Sequence, residues 1–376
     1  DTENNKNSNS PALRFHGFTD PWKPVTLGDV TFNFNRRNKE CKEYPMYSVT
    51  NNRGFIPQNE QFEDREMVGE DIKSYKIIER GEFAYNPARI NVGSIARYVG
   101  SEPCMISSLY VCFKPSNEVD GSFLLQFLKS PKANFYYNAN GEGGVRIYLF
   151  YPNFARIRTA IPSLSEQCKI SSFLKLLDER ISTQRRLIDK LETLIKGVRD
   201  LFIRKTISDG KWVKLGDICH ITTGKLDANA MEENGQYPFF TCAEKPFCIN
   251  NYAFDTEALL ISGNGANLGY INYYNGKFNA YQRTYVLDKF TEDIQFIKIA
   301  LQMLLPKRIA IEKSTSNTPY IVQSTLSDMR IFIPSKDLQR RTTNLMLRLE
   351  EDMCVQTSLL ASYNRMKSYL LQQMFI

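Results

Sequence analysis

Two stretches of the chain repeat their apolar residues alternately every four and three positions. The first carries Ile170, Leu174, Leu177, Ile181, Gln184, Ile188, Leu191, Ile195, Val198 and Phe202, a seam interrupted only by Gln184. That spacing predicts a long helix packed along one stripe against another helix, a rod of roughly 50 Å at ~1.5 Å per residue. The positions 172 further on are Thr342, Met346, Leu349, Met353, Gln356, Leu360, Tyr363, Lys367, Leu370 and Met374. This second seam is weaker, yet its glutamine falls at the same heptad position, and two matching seams predict that the helices pair with each other. Elsewhere the period shortens. Aromatic and β-branched runs at 147–151, 259–262, 270–274 and 284–287, bounded by Asn, Gly and Pro, read as strands. Asn140-Gly141 and Asn275-Gly276 read as hairpin turns.

Landmarks outside the helices also occur twice. Trp22-Lys23-Pro24-Val25-Thr26-Leu27-Gly28-Asp29-Val30 returns as Trp212-Val213-Lys214-Leu215-Gly216-Asp217-Ile218, with the Leu-Gly-Asp cores 188 residues apart. Ile161-Pro162-Ser163, followed by Gln167, returns as Ile333-Pro334-Ser335, followed by Gln339. Each helical pattern ends in Phe-Ile, at Phe202-Ile203 and Phe375-Ile376. The order is therefore variable block, helix, variable block, helix, each block being mixed and strand-rich.

The chain has 376 residues, 42% of them hydrophobic and 24% charged, values of an ordinary globular protein long enough for two or three domains. No apolar run is long enough to span a membrane. Residues 1–10 are polar, read as a flexible tail rather than a signal peptide, and their lack of an initial Met suggests trimming. A net charge of +7 is compatible with nucleic acid without requiring it. Eight cysteines form no Cys-x-x-Cys pair. Cys219 beside His220 lacks a second ligand pair at zinc spacing, so ordinary buried thiols in a reducing cytosol are expected.

Catalytic signatures are missing. Asn86-Pro87-Ala88-Arg89 lacks the second Pro and the aromatic residue that an amino-methylating DNA methyltransferase uses to hold its target amine. There is no Walker A loop. Gly263-Asn264-Gly265-Ala266-Asn267-Leu268-Gly269 follows a strand pattern, but another strand pattern follows it where a dinucleotide site needs a helix. Glu40-Cys41-Lys42 and Asp71-Ile72-Lys73 are nuclease-like only at the level of chance triplets. The residues point to a chain that performs no chemistry itself.

The repeated order resembles the specificity subunit of type I restriction–modification enzymes. Pro11-Ala12-Leu13-Arg14-Phe15 with Gly17-Phe18 and Trp22 resembles that family's opening segment, and Tyr85 through Ser94 resembles a string of its first recognition domain. Ile161-Pro162 with Glu166-Gln167, Phe173-Leu174, Leu177-Asp178 and Ile181 resembles its central helix. The second copy departs, with Asp337-Leu338-Gln339 for the first copy's Ser-Glu-Gln and Glu350 for Asp178.

The resemblance implies an α+β chain: two strand-rich α/β target recognition domains separated by two long antiparallel coiled-coil helices, as an internal pseudo-repeat. The expected divisions are a tail and opening segment at 1–20, a first recognition domain at 21–162 and the central helix at 163–205. A second recognition domain follows at 206–334 and the distal helix at 335–376. It also implies double-stranded DNA as ligand, two modification subunits and motor-nuclease restriction subunits as partners, and a cytoplasmic location with no membrane. No cofactor is expected on this chain; S-adenosylmethionine, ATP and Mg belong to the partner subunits. Because the two blocks differ, the two halves of a split DNA target should differ too. Linking two weak readers multiplies their affinity, and a rod of helical-turn dimensions would set the unread gap between half-sites ~34–36 Å apart.

Base readout wants Arg or Lys for guanine and Asn or Gln for adenine; phosphates take Arg, Lys, Ser, Thr and Tyr. On that chemistry the DNA-contact candidates in the first block are Arg36, Arg37, Tyr85, Asn86, Arg89, Asn91 and Ser94. The loop 136–146 adds Tyr137, Asn138 and Arg146. Candidates in the second are Asn264, Asn267, Tyr281, Gln282, Arg283, Ser314, Thr315, Ser316 and Asn317. Three alternatives stay open: an enzyme with unrecognised motifs, a stand-alone DNA-binding coiled-coil protein, and a specificity subunit of another restriction class.

Overall fold

A computed structural model describes residues 10–58, 72–143, 147–205, 210–313 and 320–376. Two compact units form: residues up to Arg185 together with Ser358–Ile376, and Arg186–Thr357.

In the first unit, β1 (Lys23–Thr26) leads into a single helical turn, α1 (Leu27–Val30), and β2 (Thr31–Phe34). Thr26 and Asp29 form a reciprocal capping box on α1. The hairpin β3 (Tyr47–Thr50) and β4 (Gly54–Pro57) follows, then β5 (Lys76–Ile78), β6 (Phe83–Tyr85), β7 (Ile95–Arg97), β8 (Cys104–Ile106) and β9 (Val111–Pro115). Helices α2 (Gly121–Leu128), α3 (Pro131–Asn140) and α4 (Tyr151–Ala155) precede β10 (Arg158–Ile161) and the 42-residue α5 (Leu164–Lys205). The main sheet is antiparallel in the order β2-β9-β6-β7, and β1 pairs separately with β10. Trp22, Phe83, Phe113, Phe123, Phe127 and Phe154 form the core, joined by Leu370, Met374 and Phe375 from the chain's far end.

In the second unit, β11 (Gly210–Lys214) is followed by β12 (His220–Thr223) and the hairpin β13 (Tyr237–Phe240) and β14 (Phe247–Ile249). The long β15 (Phe254–Ser262), β16 (Ile271–Ala280) and β17 (Thr284–Asp288) come next. Helices α6 (Ile294–Lys313) and α7 (Gln323–Ser327) precede β18 (Arg330–Pro334) and the 38-residue α8 (Lys336–Gln373). The sheet order begins β12-β17-β15-β16, all antiparallel, and β13 and β14 extend it beyond β16. The strands β11 and β18 pair separately. The internal repeat is thus a repeat of topology: β2-β9-β6-β7 corresponds to β12-β17-β15-β16, and β1-β10 to β11-β18.

The short repeated strings are where each frame closes. In both units the strand carrying the Trp landmark pairs with the strand that ends at Ile-Pro, in register Lys23 with Ile161 and Lys211 with Ile333. Leu27 N donates to Ile157 O (2.8 Å), and Leu215 N to Met329 O (2.9 Å). The buried Gln167 and Gln339 do the same work. Gln167 Nε2 donates to Pro162 O (2.9 Å) and Glu118 O (3.1 Å), while its Oε1 accepts from Asp120 N (2.8 Å). Gln339 Nε2 donates to Pro334 O (2.9 Å) and to the Glu292 carboxylate (2.9 Å), and Oε1 accepts from Asp293 N (3.2 Å). Asp120 and Asp293 in turn cap the helices α2 and α6 through Phe123 N and Phe296 N, both at 2.7 Å.

Every described seam position of α5 and α8 is buried or half-buried, so the heptad reading holds. The Phe202 side chain lies outside the description. The helices meet within each unit, with antiparallel contacts in the first. In the first, Asp178 meets Lys367 and Arg180 Nε donates to Tyr363 Oη (3.2 Å). In the second, Ile195, Ile299 and Met346 share one apolar cluster with Val198, Leu349 and Met353, and Arg199 pairs with Glu350 at 3.0 Å beside it.

Four local expectations change. The run 147–151 is not a strand; Tyr148 makes one bridge to Glu142, and Pro152 then starts α4, where its missing N–H costs nothing. Asn140-Gly141 ends α3 rather than turning a hairpin, and Gly141 is needed there because a Cβ would lie 2.0 Å from Ile147 Cγ2. Asn275-Gly276 runs inside β16 opposite Glu257 and Thr256. Among the cysteines only Cys104, Cys112 and Cys219 are buried, whereas Cys41, Cys168, Cys248 and Cys354 are exposed.

Candidate nucleic-acid interface

The middle strands of each unit are joined by a loop built to one plan. In the first unit β6 and β7 are joined by 86–94, closed by Asn86 N donating to Ser94 O (3.0 Å). In the second, β15 and β16 are joined by 263–270, closed by Ser262 N donating to Tyr270 O (3.0 Å). Val92 N donates to Arg89 O and Leu268 N to Gly265 O, both at 3.3 Å. Gly93 and Gly269 then turn the chain into the next strand at φ +99° and +84°, a region open to glycine without strain. The underlying string is Asn91-Val92-Gly93-Ser94-Ile95 against Asn267-Leu268-Gly269-Tyr270-Ile271. This further repeat is faint in the sequence because only three positions, one Asn, one Gly and one Ile, carry it.

Each loop is also tied to the neighbouring hairpin by a side chain. Ser94 Oγ donates to Val49 O of β3 (2.8 Å), and Asn267 Nδ2 donates to Cys242 O just beyond β13 (3.0 Å). In the second unit the turn 281–283 joins them. Tyr281 N donates to Phe240 O (2.9 Å), Gln282 N to Leu226 O (2.9 Å), and Arg283 O accepts from Gly263 N (2.8 Å). Asn264, Asn267, Tyr281, Gln282 and Arg283 are thereby gathered at one end of the sheet, with Gln282 and Arg283 exposed.

In the first unit Arg89 is exposed and Asn86 and Asn91 half-buried; Asn86 Oδ1 accepts from Ala88 N (3.0 Å). Asn91 Nδ2 donates to Asn138 Oδ1 (3.2 Å), which brings the exposed Asn138 of α3 beside the loop. Tyr137 and Asn138 are helical rather than on a loop. Other candidates turn inward. Tyr85 stacks on Phe154, and burial holds its phenol well above the ordinary range. Tyr137 is buried and donates to Leu128 O (2.7 Å), and Ser94 is spent on Val49. Arg36 is committed to Glu82 (2.8 Å) and Glu79 (3.0 Å), lying 5.1 Å over the Phe34 ring, while Arg37 is exposed. Arg146, Ser314, Thr315, Ser316 and Asn317 lie outside the described residues.

A groove of about 680 Å³ runs beside the first loop, between Asn86 and Arg89 on one wall and the β3–β4 hairpin with Gln58 on the other. Among the described residues no carboxylate lines it, and Arg53 and Arg89 do. Among the described residues no three His, Cys, Asp or Glu gather as a metal site, and His220 Nδ1 instead faces Asp288 Oδ1 at 3.0 Å. No described helix is long and apolar enough to cross a membrane.

The family profile described as "Type I restriction modification DNA specificity domain" matches residues 19–193 and again 208–353. The chain belongs to that family. Each matched stretch of this DNA specificity domain family holds one copy of the four-strand order, the pinned loop and the first part of one long helix. The EcoDI specificity subunit of Escherichia coli, a type I restriction enzyme component, is 45% identical over 131 residues. That match covers 35% of this chain and 29% of the subunit's length. Similar folds include the S subunit of a type I restriction–modification system from M. genitalium, with TM-score 0.66 and 15% identity over 98% of this chain and 99% of that one. A chain from a type I restriction–modification system studied for complex assembly and conformational transition has TM-score 0.58 and 18% identity, covering 95% and 98%. These two likenesses are of fold.

One departure of the second copy falls at a position where the first copy holds a buried ion pair. Glu166, almost wholly buried, receives Arg14 of the opening segment through two bonds of 2.7 Å. The second copy has Leu338 at that position.

Proposed function

We propose that this chain is the DNA specificity subunit of a type I restriction–modification complex, reading a split, asymmetric duplex target through two recognition domains at 21–162 and 206–334. The observation that carries this reading is one loop frame built twice in one chain and dressed with different side chains. Arg89 occupies the place of Gly265, and Asn86 that of Ser262. Two copies of one frame suit two stretches of the same kind of ligand, and different side chains suit different base pairs.

The contact set favoured is Arg89, Asn91 and Asn138 in the first domain with Asn264, Gln282 and Arg283 in the second, supported by the exposure of Arg89, Asn138, Gln282 and Arg283 and by the hydrogen-bonding chemistry of base edges. Arg37, Asn86, Asn267 and Tyr281 stand beside them. The paired helices α5 and α8 would dock two modification subunits and the restriction subunits in the cytosol. On this reading those partners bring the S-adenosylmethionine, ATP and Mg chemistry, and the chain is not itself an enzyme.

The test is co-expression with the modification subunit in a host free of adenine methylation, followed by mapping of N6-methyladenine. A split motif with unlike halves, appearing only when both proteins are present, is the expected result. Identical halves would sink the asymmetry, and methylation by this chain alone would show that it is catalytic.

A further inference from the structure

The pinned loop is half of a pair in each unit. Its partner is the hairpin to which it is tied, β3–β4 through Ser94 and β13–β14 through Asn267. The two hairpins occupy corresponding places: β13 pairs with β16, and β3–β4 packs on β7, the topological counterpart of β16, through Val49 and Ala96. Their turns differ in chemistry apart from one cation each. The first presents Asn51, Asn52 and Arg53, all exposed; the second presents Glu244 and Lys245, also exposed.

We propose that the β3–β4 turn, through Asn52 and Arg53, is a base-reading element of the first unit, and that the β13–β14 turn is its counterpart in the second. The inference rests on the DNA-reading function proposed above and deepens it. Three observations support it. Asn51, Asn52 and Arg53 line the same groove as Asn86 and Arg89, so one ligand lying there meets both. A duplex carries phosphate charge along its whole length, and the groove sets two arginines, Arg53 and Arg89, in its lining. A two-stranded ribbon is narrow enough to enter the major groove, where Asn pairs with adenine N6 and N7 and Arg with guanine O6 and N7. In the second unit Glu244 is suited to accept from cytosine N4. Unlike turns on like frames also give each half-site its own sequence.

The experiment uses the full chain with its modification subunit and a random-sequence duplex library, from which bound DNA is recovered and sequenced. Wild type should enrich a split motif. Asn52→Ala and Arg53→Ala should each erase preference at one or two adjacent positions of one half, roughly 5- to 150-fold per position, leaving the other half sharp. Glu244→Ala should relax the opposite half. The retained half reports that the variant is folded. If Arg53→Ala weakens binding evenly with the motif unaltered, the residue is a phosphate contact and the proposal is overturned. A motif unchanged in all three variants overturns it equally, with the DNA-reading function intact. A wild type that enriches no motif fails the underlying reading, and this proposal with it.

Discussion

Gln167→Ala should destabilise the first unit more than any surface change of similar size. The side chain is fully buried and serves three backbone groups: the carbonyls of Pro162 and Glu118 and the N–H of Asp120. Alanine reaches none of them. Leaving a buried polar group without a partner costs about 1–3 kcal/mol, so three partly enclosed groups cost about 3–6 kcal/mol together. Gln339→Ala should cost less, about 2–4 kcal/mol, because one of its three partners is the half-exposed Glu292 carboxylate, which can turn to water. The chain has only two tryptophans, Trp22 in the first unit and Trp212 in the second. Trp212 is 54% exposed, so Trp212→Phe leaves Trp22 as a single core reporter at small cost. Urea unfolding followed by Trp22 emission should then show the midpoint of Gln167→Ala falling by roughly 1–2 M, taking a slope of about 3 kcal/mol per M. A fall below about 0.3 M would refute the assignment of this glutamine as the bolt between strand, helix and cap.

Two further outcomes follow from the same structure. Arg14→Ala strands Glu166 as a buried, unpaired carboxylate and should destabilise the first unit by about 3–5 kcal/mol. Adding Glu166→Leu, the residue the second copy uses at Leu338, should recover most of that loss in the same urea assay; no recovery would mean that Arg14 acts through packing alone. In thiol alkylation at pH 8, Cys41, Cys168, Cys248 and Cys354 should react in the native protein. Cys104, Cys112 and Cys219 should wait for unfolding, since burial pushes each thiol up to about 12 and hides it. Native labelling of Cys104, read by peptide mass spectrometry, would contradict this.

The long-range plan was legible because it is written in residues that serve the frame. Leu-Gly-Asp, Ile-Pro-Ser and the two glutamines repeat because each closes the same strand pair onto the same helix start, and heptad seams declare themselves by periodicity. The strand runs 259–262, 270–274 and 284–287 were equally plain, being aliphatic, β-branched or aromatic between turn residues. Local chemistry misled where tertiary contacts decide. Asn-Gly at 140–141 carries a hairpin signal, but the turn is a helix end packed against Ile147. Tyr85 and Tyr137 looked like polar handles; their rings fill the aromatic core around Phe154, and nothing in the local string distinguishes a core tyrosine from a surface one. The hairpin turn 51–53 was passed over because no motif marks it, and only the fold carries it to the groove beside Arg89.

On the proposed function, the division between frame and reader would let such a chain change what it reads without unfolding. A side chain that distinguishes bases must be held still before the ligand arrives, because ordering it afterwards costs about 0.5–1.5 kcal/mol each. In both units that stillness comes from backbone and buried groups: the loop-closing bond, the positive-φ glycine, and the tie from Ser94 or Asn267 to the hairpin. None of these is the outward-facing group. Positions 89 and 265, and the turns 51–53 and 243–245, differ between the copies while the frame around them does not. Substitutions at the exposed positions should therefore alter specificity at little cost in stability. Substitutions at Gly93 or Gly269 should cost stability and blur the whole half-site, because a side chain at positive φ is strained and every reader on that loop shifts with it.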